Sequence, residues 1–211
     1  MKRTSFIVST IAGVVVLGEG AGATQVPLGP PTPYGIPTRV YVARPTVIPQ
    51  QCAEWCWAAS SAMIFACFGH PIDQSVIVQT VYGAVVCVAA QHSTTIGSVL
   101  SSTWTDKTGT SFSSTVTAAY DSANLIYGLD NNIIVNELAN NRPLLYANTH
   151  HAMVVVSMDY MQTPAGVGQV LAVGVLDPWP ASLGFHLLSA GEVVPDQSGG
   201  YMTFLAAVQV V

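Results

Sequence analysis

Gln50-Gln51-Cys52-Ala53-Glu54-Trp55-Cys56-Trp57-Ala58-Ala59-Ser60-Ser61-Ala62-Met63 joins a polar, cysteine-bearing turn to a run of good helix formers. Ala58, Ala59, Ala62, Met63 and Ala66 have high helix propensity, and neither Pro nor Gly interrupts before Gly69. On a 3.6-residue period Ala59, Ala62, Met63 and Ala66 share one face, and Trp57, Ile64 and Phe68 the next; only Ser60 and Ser61 are polar. A helix apolar almost all round is a buried helix. Cys56 then stands at the first turn of that helix, where unpaired N–H groups and the positive end of the dipole favour an anion, here a thiolate.

The segment resembles the nucleophile segment of papain-like cysteine proteases. The residues that carry the likeness are Gln50, Cys56, Trp57 and the small residues after them. Gln50 precedes Cys56 by six residues, the spacing papain relatives use for the oxyanion-hole glutamine. Two features depart from the papain signature: Glu54 and Trp55 replace a small pair, and Cys52 lies four residues upstream of Cys56. The variant is closer to bacterial papain-like proteases of the avirulence-effector type, and more distantly similar to double-glycine leader peptidases.

A cysteine nucleophile needs a base, an orienter for that base and a stabiliser for the oxyanion. Thr149-His150-His151-Ala152-Met153-Val154-Val155-Val156 puts two histidines at the entry of an apolar strand. In papain relatives the catalytic histidine is followed directly by Ala and an apolar strand. That resemblance selects His151, where strand periodicity alone leaves the choice with His150 open. His151 follows Cys56 by 95 residues, fewer than the ~130–150 of the papain and cathepsin branch, so the second lobe must be compact. Asp177, closing the apolar run Val173-Gly174-Val175-Leu176 and pinned by Pro178, is the orienter candidate, expected to accept from the histidine Nδ1–H. Asp159 is the rival carboxylate. Gln50 with the Cys56 backbone N–H would form the oxyanion site, with Gln51 as the competitor one residue off. His70, His92 and His186 have no partner motif.

The four cysteines, Cys52, Cys56, Cys67 and Cys87, permit three disulfide connectivities if all are paired. A nucleophilic Cys56 leaves at most one intramolecular pair. The resemblance implies Cys52–Cys87, the bond that ties the nucleophile loop down in the family, with Cys67 left as a small hydrophobe near a helix end.

Lys2 and Arg3, the apolar stretch Phe6 to Gly18, and Ala21-Gly22-Ala23 read as a secretory signal with its cleavage site. Cleavage near Thr24 would leave about 190 residues, enough for one domain with a real core. The destination is secreted or periplasmic, which suits a disulfide. Six basic against eleven acidic residues give a net charge of −5 and no basic patch, so nucleic acid is not an expected partner.

Residues 24–49 are rich in Pro, Gly and Thr and are expected to form an extended leader or short propeptide, with one strand at Arg39-Val40-Tyr41-Val42. The peptidase domain is expected over 50–211. A second helix should start after Asp73 and stop at Gly83, and a third should follow Asp130 and stop at Arg142-Pro143. Val85 to Ala90 is short and apolar, hence expected buried and extended. Residues 91–129 read as strands and loops. Leu144–Ala147, Ala152–Met158 and Val170–Leu176 read as strands, with Phe185–Leu188 and Tyr201–Val210 as further ones. The fold class is α+β: a two-lobed papain-like arrangement with the buried nucleophile helix packed on an antiparallel sheet lobe.

The expected activity is an exported cysteine peptidase acting on polypeptides through Cys56, His151 and Asp177 and a thioester acyl-enzyme, without metal or cofactor and as a monomer. Three alternatives stand beside it. A silent binding module of the same fold would usually have lost the Cys or the His. A zinc site from Cys52, Cys56 and the two histidines makes a poor tetrahedral set. Acyl transfer would use the same triad.

Overall fold

The computed structural model describes residues 25–211, so the expected signal segment lies outside the described residues. Among the described residues four α-helices pack on a ten-stranded antiparallel sheet. The first helix, α1 (Cys56–Cys67), is buried without interruption from Trp57 to Phe65, as a helix with no polar face must be. It lies against strands β6 (Leu144–Asn148) and β7 (Ala152–Thr163).

Helix α2 (Gln74–Tyr82) starts where Asp73 accepts from the Ser75 N–H and ends at Gly83 in the left-handed conformation. Helix α4 (Asn131–Ala139) is capped by Asp130 accepting from the Ile133 N–H. Helix α3 (Ser93–Leu100) falls in the stretch read as strands and loops. Its Ser-Thr-Thr start and Gly97 are poor helix formers, but Ile96, Val99 and Leu100 recur at helical spacing and are buried. Burial of that stripe outweighs propensity.

Strand β7 is the spine. Its first half pairs with β6 and its second half with β2 (Ile36–Tyr41) along one edge, while β8 (Gly166–Asp177) pairs along the other. Beyond β2 lies β1 (Gln25–Pro27), and beyond β8 lies β9 (Gly184–Leu187). On the far side of β6 follow β10 (Met202–Val210), β4 (Ser111–Asp121) and β3 (Thr103–Thr105), with β5 (Ile126–Tyr127) folded back on β4.

Two expectations change here. Residues 25–49 are not set apart as a leader: β2 is a full sheet member and Val40 and Val42 are buried in the core. The structural unit therefore begins before Gln50. The segment 85–90 is neither a strand nor buried; Val85 is 56% exposed. It is held as a strap by its attachments. Cys87 is disulfide-bonded to Cys52 with Cα atoms 5.9 Å apart. The Trp55 indole donates to Val86 O at 2.8 Å and the Trp57 indole to Val88 O at 3.2 Å. Three attachments replace the apolar burial that the sequence alone promises. Replacing Cys52 and Cys87 by Ser opens a loop of 35 residues and should cost about 3–4 kcal/mol in urea unfolding, in the chain-entropy account.

Candidate active site

Cys56 is the first residue of α1 and is partly exposed. The residue before it, Trp55, gives the helix no side-chain cap, and the first turn holds no acid. The leading N–H groups, that of Cys56 among them, have no carbonyl four residues back inside the helix. The helix start is thus an uncapped donor end beside a thiol.

His151 is delivered by the turn between β6 and β7. Asn148 Oδ1 accepts from the N–H groups of His150 and His151 at 2.9 and 2.8 Å, which fixes where the second histidine enters the strand. His150 is exposed and His151 half-buried. Nε2–H of His151 donates to Asp177 Oδ1 at 2.6 Å. The expectation had this bond on Nδ1; the turn instead presents Nε2 to the carboxylate. An ionised carboxylate can only accept, so the proton on this side sits on Nε2, and Nδ1 is left free of that bond.

Asp177 ends β8 and is 5% exposed. Its Oδ1 also accepts from the Trp179 N–H at 2.7 Å, and its Oδ2 from Ser182 Oγ at 2.5 Å. Burial disfavours its charge, but the bonds from Ser182, His151 and Trp179 outweigh that and hold the carboxyl below its ordinary 3.8. Burial likewise pulls the His151 imidazole down. The neighbouring Cys56 and the hydrogen bond to Asp177, with their charges, reverse this and raise it above 6.5.

The sign of the linkage follows from these two directions. The lowered Asp177 stabilises the fold above about 3.8, and this is lost as acid protonates it below that value. The raised His151 stabilises fully below about 6.5, and this is lost as pH rises through its higher folded value. The stability difference between the wild type and Asp177→Asn, read by urea unfolding, should be greatest between those limits and shrink on either side.

Trp179 stands edge-on to His151, ring centres 6.4 Å apart at 88°, and walls the imidazole–carboxylate bond. Sequence reasoning missed it. An Asp two residues before a backbone N–H is a common side-chain turn, so the Asp-Pro-Trp order carried that signal. Nothing in the sequence marks Ser182 as a partner.

The rival candidates resolve simply. Asp159 is held by Arg39 at 2.6 and 2.7 Å. Gln51 is exposed, its backbone N–H donating to Gln74 Oε1. Gln50 is buried and its backbone N–H reaches Pro178 O at 2.9 Å, tying the nucleophile turn to the loop after Asp177. Its amide, however, donates both hydrogens to the carbonyls of Cys52 and Ala53, at 2.9 and 2.8 Å. In this arrangement the turn's own carbonyls take both amide hydrogens of Gln50.

His70, for which the sequence offers no partner motif, has a partner. Its Nδ1–H donates to Asp106 Oδ2 at 2.9 Å, and its ring stacks on Phe112 at 4.4 Å. Bonds from Thr108 first and His70 next hold Asp106 well below the usual carboxylate range. The pair pins the end of α1 to the β3–β4 hairpin. Cys67 is free, and burial pushes its thiol up against a smaller opposing bond from Thr46. Cys52 is in the disulfide, so it cannot join a zinc set, and no group of three His, Cys, Asp or Glu side chains fit to hold a metal occurs among the described residues.

A thiol at a buried helix start and an imidazole bonded to a buried carboxylate on an antiparallel sheet fit the class that the family match shows, a papain-like cysteine protease. Within that class the chain belongs to the Peptidase_C39 like family, whose model matches residues 41–184. The match falls on the side of the double-glycine leader peptidases, the more distant of the two branches named from the sequence. No curated protein matches. Among solved structures the chain is similar to the peptidase domain of Streptococcus ComA, at 13% identity over 80% of this chain and 98% of that one, with a TM-score of 0.43.

Proposed function

We propose that the protein is an exported peptidase that hydrolyses peptide bonds through Cys56, His151 and Asp177. One observation carries the reading: Asp177 takes Nε2 of His151 at 2.6 Å, and in this reading the remaining Nδ1 serves the Cys56 sulfur. Cys56 Sγ attacks the scissile carbonyl carbon. The imidazolium then gives its Nδ1 proton to the leaving amine, and the C–N bond breaks to leave a thioester. Water, deprotonated by the neutral ring, attacks the thioester and restores the thiol. Asp177 keeps the ring in one tautomer and orientation throughout. The Cys52–Cys87 disulfide supports an oxidising destination, in keeping with the reading of Lys2 to Ala23 as a signal.

The purified chain, incubated with a peptide library and read by mass spectrometry, should give cleavage that an irreversible thiol inhibitor abolishes. Cleavage insensitive to the inhibitor would overturn the mechanism.

The developing oxyanion is met by the Cys56 N–H. Gln50 is the second donor in this reading, one of its two hydrogens turning from a turn carbonyl to the substrate oxygen as it becomes charged. Gln50→Ala should then lower kcat by ~10²–10³-fold with KM little changed. A fall in thermal stability with kcat intact would reduce Gln50 to a brace for the turn.

A further inference from the structure

Strand β9 is a free edge of the sheet: among the described residues it pairs with β8 alone. Its first residue, Gly184, lies opposite Asp177, the carboxylate bonded to His151. The edge therefore starts one strand spacing, about 5 Å, from the backbone of that carboxylate. The loop that leads into β9 also meets the nucleophile turn. A cavity of about 340 Å³ has Trp179 to Ala181 on one side and Gln50 to Ala53 on the other. Continuous surface thus runs from the nucleophile turn, past Trp179, to β9.

The ladder shows what this edge offers. The Leu188 N–H donates to Val173 O at 2.9 Å, continuing the register in which Leu187 faces Gly174. In an antiparallel pair, residues that bond the neighbouring strand alternate with residues that do not. Leu188 and His186 therefore turn their backbone groups to β8, and Leu187 and Phe185 turn theirs outward. The side chains of these same two residues are 54% and 59% exposed and share one face of the strand. The Phe185 ring is seated over Gly174, where a Cβ would collide with it. Two outward N–H groups and two outward carbonyls, with apolar side chains beside them, are the complement of an extended polypeptide.

Sheet edges are usually blunted by proline, by charge or by a covering element. Of the other outer strands, β1 carries Pro27, and β3 is followed at once by Asp106 and Lys107. Around β9 such devices are missing. From Val167 to Ser189 the one Asp, Glu, Lys or Arg is Asp177, and it is buried. A strand of four residues is too small to hold a second copy of the chain, since a stable interface takes about 20–30 residues a side. What fits is a short extended segment that binds and leaves, as a peptidase substrate does.

We propose that a polypeptide substrate docks as an added antiparallel strand on the free edge of β9, with uncharged apolar residues at the alternate positions beside Phe185 and Leu187. Calling that polypeptide a substrate rests on the peptidase reading, while the docking itself is a matter of binding. Main-chain bonds to Phe185 and Leu187 hold the segment, and their side chains select it. The cavity beside Trp179 carries the chain on toward the nucleophile turn.

Binding to Cys56→Ala tests this without turnover. The probe is a labelled peptide of alternating Val and Thr, with lysines at its ends for solubility, read by fluorescence anisotropy. N-methylation of the valines, whose N–H groups would face β9, should weaken binding about tenfold, and N-methylation of the threonines should not. Glu in place of the valines should weaken it as much. Leu187→Pro removes an outward donor and no bond to β8, so it should weaken binding to the same degree while urea unfolding stays cooperative. Phe185→Thr, which keeps every backbone group, should narrow the preference for Val over Glu. Binding indifferent to methylation of the valines, or no binding, overturns the proposal. So does a dimer in sedimentation that Leu187→Pro dissociates, which would give the edge to a second copy. Wild-type cleavage of the peptide library judges the catalytic reading separately. Docking with this signature and no cleavage leaves the edge standing and the peptidase mechanism overturned; cleavage with no such signature does the reverse.

Discussion

His151→Ala should abolish peptide turnover, while His150→Ala keeps most of it. The two histidines are adjacent, and both backbone N–H groups bind the same Asn148 oxygen, yet their rings have different surroundings. The His151 ring bonds Asp177 at 2.6 Å; His150 is exposed, beside a cavity shared with Ser189 and Tyr201. Removing the general acid and base costs ~10²–10⁴-fold by that role alone. The loss here should lie at or beyond the upper end, because the same ring is also the counter-charge of the sulfur. Asp177→Ala should be milder than His151→Ala, since it removes orientation and leaves the base. Steady-state kinetics on a cleaved peptide decide the matter. A silent His150→Ala beside an active His151→Ala would show that the turn enters the strand one residue out of the register described.

Much of this site is legible in the sequence because its parts are local. An uninterrupted apolar helix, a histidine before an apolar strand and an aspartate pinned by a proline each show in a handful of residues. Asp73, Gly83 and Asp130 mark helix ends by the same local chemistry. What the sequence hides is set by distant partners. Helix α3 forms because Ile96, Val99 and Leu100 find α1 and the sheet, against the propensity of Ser93 to Gly97. The strap at 85–90 stays exposed because a disulfide and two indoles fasten it from 31 to 35 residues away. The choice of Nε2 over Nδ1 depends on how the β6–β7 turn aims a ring, and no periodicity reports that. Gln50 is a like case: its spacing from Cys56 is visible, but the carbonyls of Cys52 and Ala53 that compete for its amide are not.

The central claim is that Cys56 is the nucleophile and that His151 makes it one. Two free thiols occur among the described residues, and they differ in kind. Cys56 stands at an uncapped helix start, and it is among the groups that raise the His151 imidazole above its ordinary range. Cys67, near the other end of the same helix, has its thiol pushed up by burial and should react slowly. Cys56→Ala should therefore leave no measurable turnover while the fold persists. The most direct measurement is limited iodoacetamide labelling at pH 6, mapped by peptide mass and followed against activity. Cys56 should be alkylated first, activity should fall in step with it, and His151→Ala should slow that labelling at pH 6 more than at pH 9. Equal labelling of Cys67, or peptidase activity that survives in Cys56→Ala, would contradict the account.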